Sequence, residues 1–107
     1  MSRHYFGTFH KGSPITVVLG WDRPMDYFFL VIEEQINSAD NPMTLDHLYS
    51  NLQESDPFNH ELDYYREVLR NFQIGVPESM FIEVERDREK NTGNRVVKHQ
   101  TDGSYTE

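Results

Sequence analysis

ITVVLGWDRPMDYFFLVI, residues 15 to 32, decides the fold. Ile15 to Leu19 is apolar and β-branched, Gly20-Trp21-Asp22-Arg23-Pro24 interrupts it, and Tyr27 to Ile32 is a continuous apolar run of strand length. Two such runs around a turn predict an antiparallel pair. A strand apolar on both faces must be covered on both, or covered on one and offered to a partner on the other. Upstream, Arg3 to Phe9 alternates loosely and runs into Lys11-Gly12-Ser13-Pro14, a second turn cluster. The first third of the chain therefore reads as a three-stranded antiparallel meander.

Beyond it the period changes. Residues 33 to 43 read as loop. Leu45, Leu48, Tyr49 and Leu52 fall at i, i+3, i+4 and i+7, which predicts a helix with Thr44 as its N-cap. A second helix is expected to open near Asp56-Pro57, to turn Leu62, Tyr65, Leu69 and Phe72 inward, and to stop at Gly75 and Pro77. Met80, Ile82 and Val84 alternate with Phe81, Glu83 and Glu85, predicting a strand with one wet face. Asn91-Thr92-Gly93-Asn94 signals a turn, after which Arg95 to His99 can return as a hairpin partner. The class is α+β: an antiparallel β-meander, two helices, then a further strand or hairpin. Residues 1–99 form one domain, and residues 100–107, without periodicity, are expected to be a poorly ordered tail.

The 107 residues hold seven Phe, six Tyr and one Trp. At about 150–250 Å² of apolar surface each when buried, these aromatics supply a core despite a polar average. With no Cys, the chain has no disulfide, no thiolate zinc site and no cysteine nucleophile. No stretch approaches the roughly 18 apolar residues of a membrane span, and the first residues lack the apolar run of a secretory signal. A cytoplasmic protein without a membrane partner is the expectation.

Charge is the feature most in need of a cause. Asp and Glu outnumber Lys and Arg by 18 to 10, giving −8, and from Pro24 through Tyr65 there is no basic side chain at all. Direct nucleic-acid binding requires clustered cations, whereas Arg86, Arg88 and Lys90 alternate with Glu85, Asp87 and Glu89. That binding mode is not expected. The acidic residues have a solubility reading, since carboxylates keep small proteins dispersed. They also have a functional one, in which Asp40, Asp46, Glu54, Asp56, Glu61, Asp63 and Glu67 form a single negative face on the two helices and their loops. Such a face accelerates encounter with a basic partner and rejects acidic ones.

Catalytic motifs are missing. No serine sits in a glycine-flanked strand–turn–helix elbow, and no glycine pattern cradles phosphate. His4 and His10, six residues apart, would stand roughly 20 Å apart on a continuous strand, too far to share an ion. A metal site from His47, His60 and Asp63 requires the fold to bring them together, and scattered surface or capping histidines are the simpler reading. Asp22/Asp26 and Glu33-Glu34 are paired carboxylates, but a loop tip rarely desolvates one member enough to raise its pKa. No metal or cofactor is expected, and catalysis is not favoured.

Two aromatics stand apart. Trp21, in a turn, either folds back as a lid on the sheet or projects as an interface anchor, and the lid is the preferred reading. Tyr64 adjoins Tyr65, so only one of them faces a helical core; Tyr64 is the exposed candidate. In size and charge the chain resembles, as a class, the inhibitors of restriction or CRISPR machinery carried by phages and mobile elements, whose carboxylates stand where phosphates would. That resemblance is one of kind only and implies a protein-binding inhibitor of a basic nucleic-acid-handling partner; the charge pattern and the two aromatics, not the resemblance, make Asp40, Asp46, Glu54, Asp56, Glu61, Asp63, Glu67, Tyr64 and Trp21 the candidate contact residues. One alternative is a non-catalytic assembly module dimerising through Tyr27–Ile32 or a sheet edge; another is a small His/carboxylate metal-dependent enzyme.

Overall fold

The computed structural model describes residues 1–36 and 44–107, with side chains described for 1–34 and 48–107. Four strands run antiparallel in sequence: β1 (Ser2–His10), β2 (Ser13–Asp22), β3 (Tyr27–Ile36) and β4 (Thr44–Ser50). A short 3-10 turn (Asn51–Gln53) leads on to α1 (Leu62–Asn71) and α2 (Glu78–Glu89), then to β5 (Arg95–His99) and the two-residue β6 (Tyr105–Thr106). These strands form one six-stranded sheet in the order β4-β3-β2-β1-β5-β6. The fold is α+β, a meander followed by two helices and further strands.

Turn chemistry sets the meander. Lys11 and Gly12 both have positive φ, 51° and 83°, between the paired His10 and Ser13. That is the primed two-residue hairpin whose twist matches its strands. At the next turn Asp22 accepts backbone N–H bonds from Asp26 at its carbonyl and from Met25 at Oδ1, while Asp26 takes φ 60°. Register then sorts the faces. Val17, Leu19, Trp21, Phe28, Leu30 and Ile32 point toward the helices and pack with Tyr65, Leu69, Met80 and Val84 in one core. The opposite face, carrying Arg3, Tyr5, Val18, Phe29 and Val31, has no helix over it among the described residues.

Three expectations are corrected. Residues 44–52 are not a helix: Thr44–Ser50 is strand β4, paired with the free edge of β3 through a bulge between Ile32 and Glu33. Pairing an apolar strand's open edge satisfies a row of backbone groups that a helix here would leave bare. Residues 80–85 are not a strand but lie within α2. Its inward stripe is Met80, Val84 and Asp87 with Phe81 and Glu83, whereas Ile82, inward in the strand reading, is exposed. Arg95–His99 is a strand, but it pairs parallel with β1 rather than in a hairpin with residues 80–85.

α1 starts later than Asp56-Pro57 because local polar bonds claim the preceding backbone. Ser50 Oγ accepts from Leu52 N, Asn51 Nδ2 donates to the Pro57 carbonyl, and Asn59 Nδ2 donates to Asp56 Oδ1. Its end is not at Gly75. Ile74 N donates to Leu69 O and Gln73 N to Arg70 O, with Gln73 at φ 60°, a Schellman cap completed by buried Ile74 and Leu69. Pro77, rather than only ending α1, is the N-cap of α2. Within 100–107, where the sequence shows no period, Tyr105–Thr106 pairs with β5.

Candidate functional site

The acidic residues do not share one helical face. Asp40 and the side chain of Asp46 lie outside the described residues, and Asp46 belongs to strand β4. On α1 and just before it, Glu61 is paired with Arg88 at 2.8 Å and Glu67 with Arg70, while Arg66 is committed to Glu78 by two bonds. Asp63 reaches Arg66 only at 3.8 Å and its side chain is 99% exposed. Glu54 accepts from the Tyr49 hydroxyl at 3.0 Å and Asp56 from Asn59. Of the candidate carboxylates with described side chains, Glu54 and Asp56 have no cationic partner among the described residues and Asp63 has only the long contact to Arg66.

Tyr64 lies beside one of them, Glu54. It is exposed, stacks on His60 with ring centroids 3.8 Å apart, and has its phenol pKa raised first by a hydrogen bond to Glu54. Trp21, by contrast, is 4% exposed and packs on Phe28 at 5.1 Å. It is the lid, and it is not available as a surface anchor.

A separate polar cluster is buried where β1, β5 and α2 meet. Ser79 Oγ lies 3.0 Å from His99 Nδ1, His99 Nε2 lies 2.8 Å from His4 Nδ1, and His4 Nε2 lies 2.6 Å from Asp87 Oδ2. Arg95 closes the chain on Asp87 Oδ1 at 2.8 Å and also holds Glu83. Burial alone would raise the Asp87 carboxyl, but hydrogen bonds from His4, Ser2 and Arg95 outweigh it and hold the pKa below the ordinary value. With Asp87 ionised, its Oδ2 accepts from His4 Nε2–H.

This series has the composition of a nucleophile relay but not its energetics. Burial first, and the neighbouring His4 second, push His99 down to about 4, so at neutral pH it is a poor acceptor for the Ser79 proton. Tyr105 covers its ring at 5.3 Å. The network is a clasp between β1, β5 and α2. Sequence reasoning missed it because its members are far apart in the chain and meet only when β5 docks beside β1. The available signal was Glu83 and Asp87, polar residues recurring on the stripe of Met80 and Val84.

Neither metal nor membrane chemistry gains ground among the described residues. No group of three His, Asp or Glu side chains is placed to hold an ion there, and no helix is long and apolar enough to cross a membrane. The His47 side chain, one leg of the His47, His60 and Asp63 site, lies outside the described residues. Comparison with protein-family models, curated proteins and solved structures finds no match to this chain.

Proposed function

We propose that this chain is a small acidic protein-binding module that docks on a basic, nucleic-acid-handling partner and blocks it by standing in for a polyanion. One observation carries the reading: exposed Tyr64 bonds to Glu54, Asp56 has no cation among the described residues and Asp63 only a long contact to Arg66, while Arg66, Arg70 and Arg88 are otherwise engaged by Glu78, Glu67 and Glu61. Carboxylates with an exposed aromatic beside them suit a basic groove, because Tyr gives contact area at low entropic cost and the carboxylates steer encounter. The test is capture on the immobilised protein, then titration of the captured protein against salt and against competing DNA or RNA. Affinity should fall at least about tenfold between roughly 50 and 500 mM salt, nucleic acid should compete, and Glu54→Lys with Asp56→Lys should abolish capture. Affinity indifferent to salt, or binding alongside nucleic acid, rejects the proposal.

The helix-free sheet face favours a second reading, self-association. Phe9, Leu52 and Val96 are exposed at 70%, 66% and 54%, and a groove of about 370 Å³ runs past Tyr5, Val18, Phe29 and Val31. Arg3 and Glu33 lie on this face on either side of Val18, one strand across and two residues along in opposite directions. A twofold axis through Val18 in the plane of the sheet would lay each Arg3 over Glu33 of a second copy, pairing opposite charges around an apolar centre. Sedimentation at about 100 μM tests this. A dimer broken by Leu52→Lys with Val96→Lys supports the reading, and a monomer ends it.

A further inference from the structure

β5 and β6 are attached differently from the rest of the sheet. Each of β1 to β4 contributes to the apolar core, through residues such as Phe6, Val17, Leu30 and Tyr49. Among the described residues, none from β5 or β6 belongs to it, although Val97 is buried. Beyond the ladder of Arg95–Lys98 against Ser2–Tyr5, this pair of strands is held by polar groups. His99 bonds to His4 and Ser79, and Arg95 pairs with Glu83 and Asp87 of α2. α2 is anchored separately, by Met80, Phe81 and Val84 in the core.

The bond between the two rings limits how many protons they can hold. His4 Nδ1 and His99 Nε2 lie 2.8 Å apart, and both residues are buried. A hydrogen bond across that gap needs one nitrogen to carry a proton and the other to be bare. The closed pair therefore accommodates one positive charge but never two, whichever ring donates. Separated and wetted, each imidazole takes a proton near the ordinary pKa of about 6.5. Acid thus favours separation by at least one proton. Glu83 and Asp87 of α2, Arg95 of β5 and Tyr105 of β6 also face the pair. The carboxylates can favour the first charge, but none of these groups fits a second N–H into the 2.8 Å gap. Burial first, and His4 second, hold the His99 pKa down at about 4, in keeping with that limit. We propose that β5 and β6 form an acid-released flap: as pH falls, residues 95–107 detach from β1 while the meander and both helices stay folded. The vacated edge of Ser2–Tyr5 then presents a row of unpaired backbone N–H and C=O groups, so acidity is converted into an open strand edge.

Amide hydrogen exchange, followed by NMR on the full chain and corrected for the intrinsic pH dependence of exchange, tests this. At about pH 7.5 the amides of β5 should be at least about tenfold less protected than those of β2, β3 and α2. Between about pH 7.5 and about 5, β5 protection should fall at least about tenfold; a shift from 6.5 to about 4 at His99 corresponds to roughly thirtyfold. In His99→Gln, whose amide can donate or accept, that fall should shrink to within about threefold. If β5 is already unprotected in this variant, the comparison within the unaltered protein still decides. Protection in β5 equal to that in β2, β3 and α2 means that the molecule opens only as a whole, and β5 protection indifferent to pH means that acid does not release it. Either result overturns the proposal.

Discussion

Gly20 shows how much one position in β2 is asked to do. A Cβ built there would run into the Ser2 carbonyl oxygen and the ring of Phe29, which lies across the glycine on the helix-free face. The site is closed by backbone on one side, so it cannot yield by a rotamer change. Gly20→Ala is expected to destabilise the fold by about 1–3 kcal/mol, read as a lower urea midpoint with an unchanged slope. Gln73 is the opposite case. It holds φ 60° at the cap of α1 with a side chain that disfavours that region, so Gln73→Gly should stabilise by about 0.5–1 kcal/mol in the same measurement. Neither residue announces itself in the sequence. Gly20 reads there as a breaker between strands, and Gly75 was the expected cap, because which residue reaches positive φ depends on where packing ends the helix.

At the scale of elements, α2 and β5 are joined to β1 by buried polar groups rather than by apolar contact alone. This makes the clasp sensitive to acid. His99 is pushed from its ordinary 6.5 to about 4, so the folded state binds its proton less readily than the unfolded chain. Its contribution to stability is complete above pH 6.5 and declines as pH falls toward 4. The depressed Asp87 adds a further loss at still lower pH, below the ordinary carboxylate range. Denaturant titrations from pH 7 to 4 should show a falling midpoint, and His99→Phe should flatten the decline in the upper part of that range. Asp87→Asn should cost about 3–5 kcal/mol, because it leaves Arg95 and His4 facing a neutral group inside the fold. The same buried polar residues hide α2 in the sequence: Glu83 and Asp87 break the apolar period, and the leftover alternation of Met80, Ile82 and Val84 imitates a strand. Residues 44–52 failed in the reverse sense. Their helical spacing is real, but the open edge of β3 overrides it.

For the whole molecule, the C-terminal segment closes what the N-terminal strand opens. Tyr105 covers His99, its hydroxyl bonds to Glu83, and Glu107 pairs with Arg95. Deleting residues 100–107 should therefore expose His99 and move its pKa up from about 4 toward 6.5, followed by its ring-proton shifts in an NMR titration. Charge behaves in the same distributed way. The stretch without cations is plain in the sequence, yet arginines from α1 and α2 reach Glu61, Glu67 and Glu78 and neutralise part of the acidic face expected there. By itself the sequence determined the meander, its turns, the existence of α1 and the negative balance, because these depend on local periodicity, on turn residues and on composition. Only the tertiary structure decided that 44–50 is a strand, that β5 lies parallel to β1, that His4, His99 and Asp87 meet, and which carboxylates stay unneutralised. Those outcomes are set by long-range pairing, where an open backbone edge or an unpaired buried charge costs more than local propensity can supply.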